Sequence, residues 1–184
     1  ELTDVYVIDV ARGVDPDVAY AIETDGFGLD QLYRSDDLGE TFTAVGPPVE
    51  DILLERVLVA PSDADRIYMS GAIPLSAGVT EREGYLLRSS DRGETFESIR
   101  IPFLDGERNV HLFAVDPTDP DRVLIRITRR IAELRPERLL LTEDGGDTFE
   151  TVLEERELTG AAFSADGTRA YASSHDVHGL SASA

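Results

Sequence analysis

Cysteine is absent from all 184 residues, which excludes disulfides, thiolate-bound zinc and thiol nucleophiles. Lysine is absent too: the 17 basic residues are all arginine, set against 37 acidic ones, and the formal charge is -20. Such a surface repels nucleic acid and anionic lipid, so no nucleic acid is expected among the partners. A lysine-free, acidic composition also suits a salt-adapted or high-GC source. Tryptophan is missing, and no apolar run approaches the roughly eighteen residues that cross a bilayer, so membrane insertion is not expected. The one methionine is Met69 and the numbering starts at Glu1, which reads as a start inside a longer gene product, after processing or trimming. What is present, 41% apolar and 29% charged residues, is the balance of an ordinary folded domain.

The chain repeats itself. The strings LYRSDDLGETFTAV (Leu32 to Val45), LLRSSDRGETFESI (Leu86 to Ile99) and LLLTEDGGDTFETV (Leu139 to Val152) align without a gap around S/T-x-D-x-G-x-T-F. Asp37, Asp91 and Asp144 fall in register, at steps of 54 and 53. A fainter pattern precedes each string: VDPDVAYAI, APSDADRIYM, VDPTDPDRVLI and FSADGTRAYA each run a strand end through an Asp/Pro/Ser/Gly turn into a new apolar strand. Upstream, VYVIDVA, ILLERVLVA, NVHLFAV and ELTGAAF read as the strand entering that turn.

Each period thus supplies four short strands, lettered A to D outward. With no helical periodicity of convincing length, this predicts an all-β partial β-propeller of four-stranded antiparallel blades, about three and a half of them. The 184 residues form one incomplete propeller domain, with blades expected at about 4–47, 51–102 and 109–154, and residues 158–184 supplying only the A and B strands of a fourth. In Ile127 to Arg138, Ile127, Ile131 and Leu134 have helical spacing; a helix ended by Pro136, or a strand followed by a long loop, both fit.

At these strings the sequence resembles the Asp-box, or bacterial neuraminidase, repeats of sialidases and other propellers, among them sortilin-type receptors and photosystem-assembly factors. The resemblance implies that each box is the turn between the C and D strands. Asp37, Asp91 and Asp144 are then expected to accept hydrogen bonds from backbone N–H groups of their own turn. Gly39, Gly93 and Gly146 are expected to take a positive φ, which costs another residue about 1 to 2 kcal/mol. Phe42, Phe96 and Phe149 are expected to bury their rings under the turn, for about 1.5 to 3 kcal/mol each. Ser35, Ser89 and Thr142 are expected to bond locally. Calcium is not expected, because an EF-hand-like loop needs oxygen ligands at alternate positions over about twelve residues.

Sialidase chemistry needs three arginines around the substrate carboxylate, a Tyr/Glu nucleophile pair and an Asp acid/base. Family enzymes carry Arg-Ile-Pro ahead of the first box; here Arg100-Ile101-Pro102 follows the second, which puts Arg100 on an outer strand. Tyr20, Tyr68 and Tyr171, with Leu124 in the third period, recur at one B-strand position and read as blade core, so no catalytic residue is assigned. His111 reads as a packed or solvent-facing side chain. His175, Asp176 and His178 have ligand chemistry, but a coil near a chain end is the preferred reading, and no metal or cofactor is expected.

The A–B and C–D turns of a blade share one face, so long B–C loops and D-to-A connections collect on the other, where recognition sits on a rigid scaffold. Two B–C connections are long, Gly71 to Gly84 and Ile127 to Arg138. The second gathers Arg126, Arg129, Arg130, Arg135 and Arg138, read either as a docking patch of forked guanidinium donors or as partners for acids of neighbouring blades. Propellers close with about four to eight blades, so the remaining blades are expected from a longer chain or a second copy. The function expected is a non-catalytic scaffold that binds a protein or glycan, secreted or periplasmic by the family's habit. The competing expectation is a fragment of a sialidase-like glycoside hydrolase whose catalytic residues lie mainly outside this stretch.

Overall fold

Strands alternate apolar and polar residues between Asp, Pro and Gly turns, and among the described residues they form the whole secondary structure. The computed structural model describes residues 6–24, 29–74, 82–129, 135–175 and, for the backbone alone, 181–183.

The first sheet comprises β1 (Tyr6–Arg12), β2 (Ala19–Thr24), β3 (Leu29–Ser35) and two short pieces, β4 (Thr43–Ala44) and β5 (Val49–Glu50), which both pair with β3. Gly46, Pro47 and Pro48 split the outer strand, because proline has no N–H for the ladder. The second sheet runs β6 (Leu53–Ala60), β7 (Asp63–Ala72), β8 (Gly84–Ser89) and β9 (Glu97–Ile101); the third runs β10 (Glu107–Val115), β11 (Val123–Arg129), β12 (Glu137–Thr142) and β13 (Glu150–Glu155). Each is antiparallel with its strands in chain order. The fourth holds β14 (Leu158–Phe163), β15 (Ala170–Ser174) and β16 (Ser181–Ser183). Only two strands were expected there; β16 adds a third by pairing with Ala170 to Ala172.

The helically spaced segment begins as strand. Ile127 pairs with Val110 on one side and Arg138 on the other, since Val123, Ile125 and Ile127 alternate into the core between sheets. Ile131 and Leu134 lie outside the described residues.

Innermost strands β1, β6, β10 and β14 pack against one another in turn. Tyr20, Ile22 and Leu32 of the first sheet meet Val57, Ile67 and Met69 of the second. Tyr68 and Leu86 of the second meet Val110, Leu112 and Ile125 of the third, and Leu124 and Leu139 of the third meet Leu158 and Ala172 of the fourth. Each large apolar side chain buried there contributes about 1.5 to 3 kcal/mol. Sheets stacked face to face with their first strands innermost are blades, and the chain is a partial β-propeller.

Each inner strand carries a β-bulge near its start, at Ile8, Glu55, Arg108 and Thr159. Beside two of them a carboxylate of the preceding sheet accepts the backbone donor: Leu54 N–H donates to Asp30 at 2.6 Å and Leu158 N–H to Glu137 at 2.9 Å. Asp30 and Glu137 hold the same repeat position. In the second sheet that position is Gly84, and Phe103 and Val110 occupy the space a side chain would need.

Candidate functional site

Two successive residues in the left-handed region shape each box turn: Leu38 and Gly39 (φ 64° and 87°), Arg92 and Gly93 (62° and 93°), Gly145 and Gly146 (71° and 113°). So folded, the backbone aims its N–H groups inward. In the first box Thr41 N–H donates to Asp37 Oδ1 at 2.9 Å and the Thr41 hydroxyl to Oδ2 at 2.5 Å. Gly39 N–H donates to Ser35 Oγ at 2.8 Å, and the Ser35 hydroxyl donates to Asp37 Oδ1 at 2.7 Å. Asp91 with Ser89 and Thr95, and Asp144 with Thr142 and Thr148, repeat the same four bonds.

The threonine, present in the repeated core without an assigned role, has the largest influence on the carboxylate. The hydroxyls of Thr41 and Ser35 hold Asp37 at about 2, below the ordinary 3.8; the Thr148 hydroxyl leads in holding Asp144 at about 2. Asp91 is lowered too, chiefly by the Thr95 hydroxyl. A carboxylate ionised and saturated by its own turn has no proton to give as a general acid. Phe42, Phe96 and Phe149 lie 3.8, 3.6 and 3.7 Å from where a Cβ on Gly39, Gly93 and Gly146 would stand. All three rings are half-buried, so each contributes less than full burial would.

A related turn stands outside the three boxes, at Ser164-Ala165-Asp166-Gly167-Thr168, where the sequence shows the same chemistry without the phenylalanine. Asp166 accepts from Ser164 Oγ at 2.6 Å and from Thr168 N–H and Oγ1 at 3.1 and 2.8 Å. The Ser164 hydroxyl leads in lowering Asp166 to about 2.

Boxes are tied to the A–B turn of their own sheet. Leu38 N–H donates to Asp17 O, Arg92 N–H to Asp65 O and Gly145 N–H to Asp121 O, at 2.9, 3.0 and 2.9 Å. At the opposite end of the third sheet, Arg129 donates to Asp105 O at 2.5 Å and Pro136 O at 2.7 Å, and Arg138 to Pro102 O at 2.9 Å. The B–C loop and the D-to-A connection therefore meet there.

Those last bonds involve arginines singled out as a docking patch. Arg138 makes a two-pronged pair with Glu107 at 2.6 and 2.7 Å, with Arg129 reaching the same carboxylate at 3.3 Å. Arg126 pairs with Glu137 at 3.0 and 2.9 Å. Arg126, Arg129 and Arg138 are thus held by acids of their own sheet, not of neighbouring blades. Among the described members only Arg135 is exposed, 3.9 Å from Asp105; Arg130 lies outside the described residues.

Arg100 is exposed on the outermost strand, β9, and pairs with Glu83 at 2.8 Å, which accepts from the Tyr85 hydroxyl at 2.7 Å. No periodicity in the sequence marked this Tyr–Glu–Arg cluster. The bond to Glu83 raises the Tyr85 phenol, the wrong direction for a nucleophile. Burial pushes Tyr68 up to about 12, and its hydroxyl donates to Pro120 O at 2.9 Å. His111 on β10 lies 2.8 Å from Glu55 on β6, linking two inner strands. His175 donates its backbone N–H to Glu157 O, while Asp176 and His178 lie outside the described residues. A cavity of about 460 Å³ opens on the box face between the second and third sheets, lined by Arg66, Arg88, Asp91, Asp121 and Asp144 among others. Its cations are matched already: Arg66 lies 3.3 Å from Asp121, and Arg88 lies 2.7 Å from Glu97 and 3.2 Å from Asp147.

A family model described as sortilin, neurotensin receptor 3, matches residues 30–179, a span that holds all three boxes. The chain belongs to the Sortilin-Vps10 family. Among solved structures this Sortilin-Vps10 chain is similar to the GH74 xyloglucanase of Xanthomonas campestris, with a TM-score of 0.63 and 24% identity over 97% of this chain and 29% of that one. The GH74 enzyme of Niastella koreensis matches with a TM-score of 0.61 and 18% identity over 92% and 26% of the two chains. Hydrazine synthase of Kuenenia stuttgartiensis matches with 0.61 and 16% identity over 94% and 57%. At these identities the likeness is one of fold. The chain spans 29% and 26% of the lengths of the two GH74 proteins.

Proposed function

We propose that this Sortilin-Vps10 chain is a non-catalytic propeller scaffold, secreted or periplasmic, that binds a protein or glycan through the face carrying its long B–C loops. One observation carries the reading: the box carboxylates are consumed by their own turns, so the boxes act as braces and recognition falls to the loops. On that face Arg135 is exposed, whereas Arg126, Arg129 and Arg138 brace the third sheet. Arg135 is therefore the described arginine of the patch with donors to offer a ligand. The blades beyond these four sheets come from a longer chain or a second copy.

Two measurements test the reading. The purified chain is expected to release no fluorophore from a fluorogenic sialoside; turnover abolished by Arg100→Ala would replace the scaffold with a hydrolase. On an array of neutral and acidic glycans, binding is expected to fall on Arg135→Glu and to survive Asp166→Asn at the opposite face. Loss with the second substitution and not the first would move the surface to the box face.

A further inference from the structure

Four aspartates stand directly before a glycine: Asp25, Asp105, Asp144 and Asp166. Such a pair is reactive, because glycine has no Cβ to hinder attack of its backbone nitrogen on the preceding carboxyl carbon. Attack needs a carboxyl free to turn, a proton on that carboxyl, and a glycine N–H not engaged elsewhere. Two of the four turns withhold all three. Asp144 accepts from the Thr142 and Thr148 hydroxyls and from Thr148 N–H, and Gly145 N–H donates to Asp121 O at 2.9 Å. Asp166 accepts from the Ser164 and Thr168 hydroxyls and from Thr168 N–H, and Gly167 N–H donates to Ser164 O at 2.9 Å. Held at about 2 in place of the ordinary 3.8, each of these carboxyls carries its proton roughly sixtyfold less often at neutral pH.

Asp105-Gly106 is held differently. Its turn, Leu104 to Glu107, is clasped at the ends: Glu107 N–H donates to Leu104 O at 3.1 Å and Leu104 N–H to Glu107 Oε2 at 2.6 Å. The tip is bare. The Asp105 side chain is 98% exposed, and its ion-pair partner Arg135 stands 3.9 Å away, beyond hydrogen-bond reach. Gly106 N–H meets no acceptor among the described residues. The fourth pair, Asp25-Gly26, lies outside the described residues.

We propose that, of the three described pairs, Asp105-Gly106 is a spontaneous isoaspartate-forming site and the other two are shielded by their own turns. Gly106 N attacks Asp105 Cγ, the amide proton and the carboxyl hydroxyl leave as water, and a succinimide closes. Water then adds at the former peptide carbonyl and breaks its bond to nitrogen, so the chain continues through Cγ and the α-carboxyl is set free. Nothing is oxidised or reduced, and the mass is unchanged. The product backbone is longer by the Asp105 Cβ methylene, in a turn whose Asp105 carbonyl accepts from Arg129 at 2.5 Å. That carbonyl becomes a carboxylate facing Arg129, so the modification alters the junction between the B–C loop and the D-to-A connection. The inference goes beyond the scaffold reading and does not depend on it.

Prolonged incubation of the purified chain at neutral pH, followed by trypsin and compared with an unincubated sample, tests this. Cleavage after arginine places the four pairs in separate fragments, 13–34, 101–108, 139–156 and 157–169. Fragment 101–108 is expected to resolve into two species of equal mass, one of which accepts a methyl group from protein isoaspartyl methyltransferase. Fragments 139–156 and 157–169 should stay single. Incubated in guanidinium, all three should split, because unfolding frees every carboxyl and every glycine N–H. Asp105→Glu should leave 101–108 single in the folded protein, since the longer side chain closes its ring far more slowly. A native 101–108 that stays single overturns the proposal, as does a split that survives Asp105→Glu. Equal conversion of the three fragments in the folded protein also overturns it, because the sequence alone would then decide where the reaction occurs.

Discussion

Leu38 has a φ of 64° where the third box has Gly145 at 71°, so an exposed leucine sits in a conformation that glycine adopts without steric cost. Relief of about 1 to 2 kcal/mol of strain outweighs the roughly 0.4 to 1 kcal/mol of unfolded-state entropy that a glycine adds. Leu38→Gly is therefore expected to raise stability by about 0.5 to 1 kcal/mol in urea unfolding. The box carboxylates predict a pH effect of defined sign. Asp144 titrates near 2 when folded against an ordinary 3.8, so its contribution is complete well above pH 4 and is lost as pH falls from about 4 to 2. Asp144→Asn should destabilise at pH 6, and the gap to the parent should close over that window. A gap unchanged down to pH 2 would mean that the hydrogen bonds do not depend on ionisation. The sequence marked Asp37, Asp91 and Asp144 by register, but the threonine that lowers each was legible only as a repeated letter.

At the scale of elements, equal glycines have unequal duties. Gly93→Ala and Gly39→Ala share the cost of a positive φ, about 1 to 2 kcal/mol. A methyl on Gly93 would also stand 2.7 Å from Leu32 Cδ2 and 3.3 Å from Val45 Cγ1 of the first sheet, whereas on Gly39 it meets nothing closer than 3.8 Å. Gly93→Ala should thus cost about 1 to 3 kcal/mol more, read by the difference in denaturant midpoints. Within the third sheet, Glu107 is buried between Arg138 and Arg129 and also accepts Leu104 N–H at 2.6 Å. Glu107→Ala strands the buried Arg138 guanidinium and is expected to cost about 3 to 5 kcal/mol. A loss below about 1 kcal/mol would mean that Arg138 finds water or another acid. Nothing in the spacing of Glu107, 31 residues from Arg138, revealed this pair. Clustering of five arginines in sequence suggested a shared surface, yet strand pairing turned three of them toward carboxylates of the same sheet.

For the whole molecule, charge is the dominant unbalanced term. With 37 acids against 17 arginines, many acids have no cation to pair with, and folding concentrates their repulsion. Salt screens that repulsion more than it weakens the buried pairs, so Tm is expected to rise between about 0.05 and 1 M salt. A Tm that falls instead would give the ion pairs the larger share. The outer sheets should also be the least protected. In a protein of these residues alone, hydrogen exchange is expected to be slowest on β7 and β11, which lie in sheets covered on both sides, and faster on β2 and β15, whose sheets are covered on one side among the described residues.

Turn chemistry acts locally, which is why a repeat of aspartate, glycine and threonine, with apolar strands between, was enough to establish antiparallel sheets and their succession. Long-range pairing has no such signature. Whether Ile127 continued a strand or opened a helix, which carboxylates the arginines met, and that β16 joins the fourth sheet depended on neighbours tens of residues away. The same is true of the difference between Val10 and Val57. The two valines hold one position in the repeat; the first sheet packs over Val57 and makes it core, whereas among the described residues no sheet lies over Val10.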